Sequence, residues 1–174
     1  GRSIEGYNMF EEITKCKELL TKFGGHPMAA GLSLPTENID LFRAKLNRQQ
    51  TLTEKELTPV TWIDVPMPVS YASKKLVEQL RVLEPFGKGN EKPVFADRKL
   101  TVRSANMIGK NKNVLKMQLE DTQGHVVDAI QFKVEEEDMP LRGKEISIVY
   151  YPDINEFRGN QTLQFIVQEW CYTT

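Results

Sequence analysis

The chain has 174 residues, of which 40% are hydrophobic and 27% charged, and its formal net charge at pH 7 is -1. This composition excludes disordered and fibrous proteins, and the length allows one medium domain or two small ones. There is no apolar run of the roughly 18 residues that span a bilayer and no apolar N-terminal stretch of a secretory signal, so we expect a cytoplasmic protein without a membrane partner.

The two cysteines, Cys16 and Cys171, lie far apart in the sequence. Without a CxxC pair they indicate neither a disulfide framework nor a zinc site. We expect both to be ordinary buried thiols.

Apolar residues recur at helical spacing from 9 to 22 and predict the first helix. Asn8 and Glu11 have capping-box spacing at its start, and Gly24-Gly25 provides the conformational freedom that ends a helix. A short apolar run over 28–34 then predicts a buried strand. A second helix follows, with Thr36 as its predicted cap.

A polar, charged segment over 49–59 separates this part from the rest, and we place the domain boundary between residues 52 and 53. Residues 60–65 are predicted to form a strand and 73–84 a helix, which the segment 85–90 breaks.

The remainder alternates between apolar and polar residues, as strands do. Five strands are predicted, over 100–108, 114–120, 126–132, 145–151 and 161–169. Turn residues over 121–124 and 155–160 favour antiparallel hairpins. Five short antiparallel strands favour an OB-type barrel over a β-sandwich, which normally has about seven.

The strongest single motif is Gly24-Gly25-His26, which lies between the predicted helix and strand. Adjacent glycines let the backbone approach a ligand closely and present amide groups to a phosphate, and His26 can add a hydrogen bond or a charge. The alternative is that the glycines only end the helix and His26 packs on the surface.

Three segments in order give the chain a specific resemblance to the RecJ exonucleases. They are Arg2-Ser3-Ile4, the run from Gly24-Gly25-His26 to Ala29-Ala30-Gly31, and Pro85-Phe86-Gly87-Lys88-Gly89-Asn90. Glu91 departs from the proline that this family commonly has. The resemblance implies an α+β chain, with part of an α/β DHH-associated domain at 1–52 and a five-stranded antiparallel OB-type β-barrel with one flanking helix at 53–174.

The resemblance also implies functional roles. Arg2 and Ser3 are similar to residues that hold the 5′-phosphate of DNA, and Gly24, Gly25 and His26 to residues near the scissile bond. Hydrolysis in this family needs two divalent metal ions, Mn or Mg, held by a DHH catalytic domain that nothing in this sequence resembles. We therefore expect no catalytic residue, metal or cofactor site here, and the chain alone to be inactive.

The OB domain is expected to grip single-stranded DNA with cations along the backbone and aromatic rings on the bases. The segment 98–118 has six basic residues and no acidic one, although the net charge gives no global signal. Expected contacts are Lys110 and Lys112 first, then Lys99, Arg103, Lys116 and Arg158, with Phe157 and Tyr151 as stacking groups. The alternative is that the lysines are simply solvated and the aromatic residues belong to the core, where we also expect Trp62 and Trp170.

The function implied is the DNA-holding part of a 5′-to-3′ single-strand-specific exonuclease of DNA repair and recombination. Its partners would be single-stranded DNA, the DHH domain of the same polypeptide and other repair proteins. One alternative is a non-enzymatic OB module that binds a protein. Another is a relative acting on short RNA or nucleotides, against which the 85–90 segment and the OB domain argue.

Overall fold

The computed structural model describes residues 1–173, and the chain divides into two compact units, Gly1–Val60 and Thr61–Thr174. The predicted boundary between 52 and 53 lies earlier in the chain and stays a prediction. Within the described residues, no helix is both long and apolar enough to cross a membrane.

The first unit begins with a helix that is shorter than predicted. Helix α1 covers Met9–Thr14, with the side chain of Asn8 accepting a hydrogen bond from the Glu11 amide at 3.2 Å. A 3₁₀ turn, Lys17–Leu19, follows, and the chain is extended from Lys22 onward. The prediction of one helix over 9–22 is therefore wrong, because the apolar spacing continues through a 3₁₀ turn whose bonds join residues three apart.

Strands β1, Lys22–His26, and β2, Ala29–Ser33, form an antiparallel hairpin. Gly24-Gly25 thus lies inside a strand, and the turn is Pro27-Met28, which corrects the predicted glycine turn. Two glycines are poor strand formers, so the strand depends on its pairing with β2, a contact that local sequence does not reveal.

Two further helices complete the first unit, α2 over Ile39–Gln49 and α3 over Glu54–Leu57. The N-cap of α2 is Asn38 and not the predicted Thr36, which begins a 3₁₀ turn. The core includes buried Ile13 and Cys16 and the contact of Phe10 with Phe23, whose rings are 6.1 Å apart.

The second unit is a mixed sheet with one flanking helix, α4 over Lys74–Leu80, which the Ser73 side chain caps. Its strands are β3, Val65–Pro66; β4, Phe95–Ile108; β5, Val114–Glu120; β6, Val126–Phe132; β7, Glu145–Phe157; and β8, Asn160–Tyr172. The predicted helix over 73–84 continues beyond α4 only as a 3₁₀ turn, Arg81–Leu83.

The sheet order is β3-β4-β5-β6-β8-β7, and β4 also pairs with β7. Each strand from β4 to β8 therefore pairs with two others of this set, and β4 pairs with β3 as well. The all-antiparallel prediction is wrong, since β3 with β4 and β6 with β8 are parallel. The sequence shows the hairpins between consecutive strands, whereas β6 and β8 are separated by β7 and meet only in the folded sheet.

The β7–β8 hairpin extends beyond the rest of the sheet. β4 pairs with β7 no further along the chain than Tyr150, and β6 pairs with β8 at Phe165 and Ile166. Residues 153–157 and 160–164 therefore pair only with each other, and we call them the β7–β8 arm. Positive φ angles at Arg158 and Gly159 fit the two-residue turn at its tip.

The core of the second unit is formed by inward residues of the five long strands. Fully buried side chains include Leu100, Leu115, Met117 and Tyr150. Trp170 packs partly against this core as predicted. Trp62, however, is 84% exposed and Cys171 is exposed, so both predictions of burial are wrong. Strand alternation shows which residues share a face, and only the assembled sheet shows which face is covered.

Candidate nucleic-acid interface

The N-terminal segment adds a short third strand beside β2 in the first unit. Arg2 forms an antiparallel bridge with Ala29. The amide of Ser3 donates to the carbonyl of Met28 at 3.0 Å, and that of Ala30 donates to the carbonyl of Gly1 at 3.4 Å. The segment that carries Arg2 is thereby fixed to the hairpin that carries His26.

The register aligns side chains from all three segments on one side. Residues directly opposite each other share a face of a sheet, and successive residues alternate. One row is therefore Arg2, Ala29 and His26, and the next is Gly31 with Gly24. We call this side the hairpin face, and its members are Arg2, Lys22, Gly24, His26, Ala29, Gly31 and Ser33.

The hairpin face is open to solvent. Arg2, Lys22 and His26 are exposed, whereas Phe23 and Leu32 on the opposite side are half-buried. None of these three basic residues takes part in an ion pair within residues 1–173. The face therefore presents cationic and hydrogen-bonding side chains of the type that hold phosphate.

The two glycines of the GGH motif do different things. A Cβ added to Gly24 would meet no atom within 4 Å, and the same holds for Gly31 across from it. A Cβ on Gly25 would lie 2.4 Å from the carbonyl oxygen of Ala29, and Gly25 has φ +153°. Gly25 is thus required by the close approach of β1 and β2, while Gly24 leaves a side-chain-free surface that a ligand can approach.

Ser3 is placed differently from Arg2. Its hydroxyl donates to the carbonyl of Tyr7 at 2.6 Å, and the side chain is half-buried. Because neighbouring residues of an extended segment point to opposite sides, Ser3 turns away from the hairpin face. This geometry favours Arg2 over Ser3 for phosphate contact and gives Ser3 a structural role.

In the second unit, the outer side of β5 and β6 forms a separate surface. Inward residues such as Leu115, Met117 and Ala129 are fully buried. The outward side, which we call the β5–β6 face, consists of four cross-strand pairs: Val114 with Phe132, Lys116 with Ile130, Gln118 with Asp128, and Glu120 with Val126. It carries one cation, Lys116, two carboxylates, those of Asp128 and Glu120, and one exposed aromatic ring, that of Phe132.

Two turns that carry predicted contacts flank the β5–β6 face. The loop 109–113 precedes β5, and a hydrogen bond of 3.2 Å from the Val134 amide to the Asn113 carbonyl ties it to the end of β6. The tip of the β7–β8 arm lies beyond the other end of the β5–β6 pair. Ala129 in β6 pairs in parallel with Phe165, which comes five residues after Asn160, so Asn160 is level with a point before the first residue of β6. The loop carries Lys110 and Lys112, and the tip carries Arg158.

Aromatic residues are available at both ends of this face. At the arm tip, Phe157 is 64% exposed, and the Arg158 guanidinium lies 5.1 Å from its ring centroid. At the loop end, Phe132 is 54% exposed on β6. Phe132 is not among the contacts expected from the sequence, although the inward positions of Val127 and Ala129 imply that an even-numbered residue of β6 faces outward.

Three predicted contacts lie elsewhere or are already engaged. Lys99 is in a bulge of β4 where that strand pairs with β7. Arg103 forms two bonds with the Glu120 carboxylate, at 2.7 and 2.9 Å. Tyr151 is only 4% exposed, and the Lys92 ammonium lies 3.8 Å from its ring centroid. Burial, followed by the charge of Asp153, raises the pKa of Tyr151. This placement argues against base stacking by Tyr151.

The described residues contain no group of three or more histidine, cysteine, aspartate or glutamate side chains arranged to hold a metal ion. His26 and His125 belong to different units. His125 instead lies with its Nδ1 3.0 Å from the carboxylate of Asp121 in the β5–β6 turn. The candidate surfaces therefore have binding chemistry and no assembled metal centre.

Two family models match the chain. One, described as the DHHA1 domain, matches residues 1–51, and the other, the RecJ OB domain, matches residues 63–169.

Curated relatives include proteins named single-stranded-DNA-specific exonuclease RecJ. That of Bacillus subtilis is 33% identical over 171 residues, 97% of this chain and 22% of the relative. Those of Haemophilus influenzae and Escherichia coli are 36% and 33% identical, covering 95% and 96% of this chain and 30% of each relative. The chain thus spans less than a third of these relatives.

Among solved structures, RecJ of Thermus thermophilus in complex with Mg²⁺ has a TM-score of 0.75 and 20% identity. The match covers 99% of this chain and 26% of that one. The same protein with Mn²⁺ has a TM-score of 0.70 and 19% identity. These likenesses show a shared fold. The RecJ OB model matches more than half of the residues, and by that match the chain belongs to the RecJ family.

Proposed function

We propose that this chain is the single-stranded-DNA-binding portion of a RecJ-type 5′-to-3′ single-strand-specific exonuclease that acts in DNA repair and recombination. The names of the curated relatives support the activity of the whole protein. The relatives are bacterial, and bacterial DNA lies in the cytoplasm, so we place the protein there.

The observation that carries the proposal is the row of Arg2, Ala29 and His26 beside the paired Gly24 and Gly31. A guanidinium binds phosphate in a bidentate manner, and a strand surface without side chains lets a sugar-phosphate chain lie against it. Arg2 and His26 thus grip a phosphate near the 5′ end of the strand.

We propose further that β4 to β8 form an OB-type barrel. Support comes from the pairing of β4 with β7, which gives each of these five strands two neighbours within the set. In OB folds the second and third strands, with the first-second and fourth-fifth loops, bind oligonucleotides. Those strands correspond to β5 and β6, and those loops to 109–113 and the arm tip. Lys110, Lys112, Lys116 and Arg158 then contact phosphates, and Phe132 and Phe157 stack on bases.

Hydrolysis itself is assigned to a DHH catalytic domain of the same polypeptide, which would hold the divalent metal ions, Mg²⁺ or Mn²⁺. The residues of this chain do not fit that role, since the described part offers no cluster of metal-binding side chains. They bind and orient the strand. The DHH domain and other repair proteins are the further partners proposed.

The test is a titration of the chain with labelled oligonucleotides at several salt concentrations. We expect preference for single over double strands and affinity that falls with salt, because phosphate contacts release counterions. Replacing both Lys110 and Lys112 by alanine is expected to weaken binding and lower the salt slope by roughly 1.4, at about 0.7 per phosphate of single-stranded DNA.

The matched control replaces Lys17 and Lys55, which are exposed in the first unit, by alanine. This double variant loses the same charge and is expected to bind as the parent does. Equal loss in both double variants would show a nonspecific charge effect. Absence of binding to any strand, with retention of a protein partner, would favour the alternative of a protein-binding OB module.

A second experiment adds Mg²⁺ or Mn²⁺ to the chain together with single-stranded DNA. We expect no digestion. Metal-dependent digestion that tracks with the chain through purification would contradict the assignment of hydrolysis to another domain.

A further inference from the structure

We infer that Lys22 holds a second phosphate of the strand gripped by Arg2 and His26, so that the hairpin face takes a stretch of backbone and not one phosphate alone. This inference rests on the proposed function and names a residue that determines the length of strand bound in the first unit.

Lys22 and His26 lie at the two ends of β1 on the same side of the hairpin. They are four positions apart in the strand, and the rise of about 3.3 Å per residue puts their Cα atoms roughly 13 Å apart. That distance exceeds one step between adjacent phosphates of a single strand. A phosphate at Lys22 is therefore a different phosphate from the one at His26.

The surface between these two ends is formed by Gly24 and Gly31. They are directly opposite each other, and a Cβ on either would stand in open space. The absence of side chains lets the sugar-phosphate chain cross the hairpin in van der Waals contact with its backbone. Ser33, opposite Lys22, has an exposed side chain that can donate a further hydrogen bond to phosphate.

The ammonium of Lys22 is also available to bind a phosphate. Elsewhere in the first unit, Lys15 bonds the Glu12 carboxylate at 2.5 Å, and Lys45 is paired with Glu18. Lys22 has no such ion pair among residues 1–173. Lys22 is exposed at one end of the hairpin face, and the defined members of that face include no carboxylate. This placement suits its ammonium to a phosphate contact.

The experiment uses isotope-labelled chain and nuclear magnetic resonance titrations with 5′-phosphorylated oligothymidylates of two and six nucleotides. Affinity is read from the amide signals of Gly24 and Gly31, so that binding in the second unit does not obscure the result. The parent is expected to bind the six-nucleotide strand more tightly than the two-nucleotide one at these signals.

In Lys22→Ala, affinity for the longer strand is expected to fall about twofold to fivefold, the range of an exposed charge pair, while affinity for the shorter strand stays the same. Lys22→Arg is expected to restore the tighter binding of the longer strand. Lys17→Ala, the control, is expected to change the affinity for neither strand. Arg2→Ala is expected to weaken the binding of both oligonucleotides, because both place a phosphate beside Arg2 and His26.

An equal effect of Lys22→Ala on both lengths, or no effect on either, overturns the inference about Lys22 while Arg2→Ala still reports the proposed function. If oligonucleotides of either length leave the Gly24 and Gly31 signals of the parent unmoved, the proposed role of the hairpin face fails as well. Unchanged dispersion of the remaining signals shows that each variant is folded.

Discussion

A Cβ atom on Gly25 would lie 2.5 Å from the Cα atom of Ala30, its partner across the hairpin. No real side chain fits there without moving one of the two strands. We therefore predict that Gly25→Ala destabilises the first unit by roughly 2–4 kcal/mol through overlap and backbone strain. Urea unfolding followed by circular dichroism measures the change.

Gly24→Ala is the matched control at the neighbouring position, because its Cβ would meet open space. It is expected to leave the free energy of unfolding within about 0.5 kcal/mol of the parent, yet to weaken oligonucleotide binding at the hairpin face. Equal destabilisation by the two substitutions would contradict the different roles given to these glycines.

Phe132 offers an exposed ring on the β5–β6 face. If it stacks on a base, Phe132→Ala is expected to cost about 1–3 kcal/mol of binding free energy for single-stranded DNA, with little loss of folding stability. Fluorescence anisotropy at fixed salt measures the affinity. Tyr71→Ala removes a ring that is 75% exposed outside this face and should bind DNA as the parent does.

Lys116 and Arg103 are both basic residues of the second unit, but only Arg103 is paired with a carboxylate, that of Glu120. Lys116→Ala is expected to reduce DNA affinity more than Arg103→Ala, since a cation already bonded to a carboxylate offers less to a phosphate. Competition binding with one labelled strand compares the two variants. A larger effect at Arg103 would place the DNA path over the part of β4 that carries Arg103.

Tyr150 donates a hydrogen bond of 2.8 Å from its hydroxyl to the carbonyl of Met67. Burial first, and the charge of Asp97 second, raise its pKa above the ordinary value of 10.0. The unfolded chain therefore loses this proton first, and stability falls as pH rises above about 10, by at most ~1.4 kcal/mol per pH unit.

Unfolding midpoints measured at pH 9, 10 and 11 check this dependence. Tyr150→Phe is expected to lose about 1 kcal/mol at pH 9 through the missing hydrogen bond and to show a weaker decline toward pH 11. An identical decline in parent and variant would assign the alkaline destabilisation to other groups.

The strands of the second unit could be predicted from sequence because alternation and turn chemistry are local. The observed bounds of β5 and β6 equal those predicted. Pairing between β6 and β8 could not be predicted, because it joins segments that are far apart in the chain. Lys110 and Lys112, the first of the expected contacts, lie in an exposed loop, whereas Tyr151 packs against Lys92 and Phe86 from another segment, which local sequence does not reveal.

The candidate site of the first unit shows the same division. Arg2 and His26 were singled out by resemblance, but their alignment in one row depends on the bridge between Arg2 and Ala29. A glycine pair is ambiguous in sequence, since it is equally suited to a helix end and to a crowded strand. The register also brings in Lys22 and Gly31, to which the motif alone gave no role.

The β7–β8 arm contrasts with the rest of its sheet. Where β4 to β8 pair on both sides, their backbone groups are occupied and cannot recruit a strand from another molecule. Along 153–157 and 160–164 each strand has a partner on one side only. The tip that carries Phe157 is thus open to unwanted strand pairing, and Arg158 there adds a charge that opposes the approach of another copy.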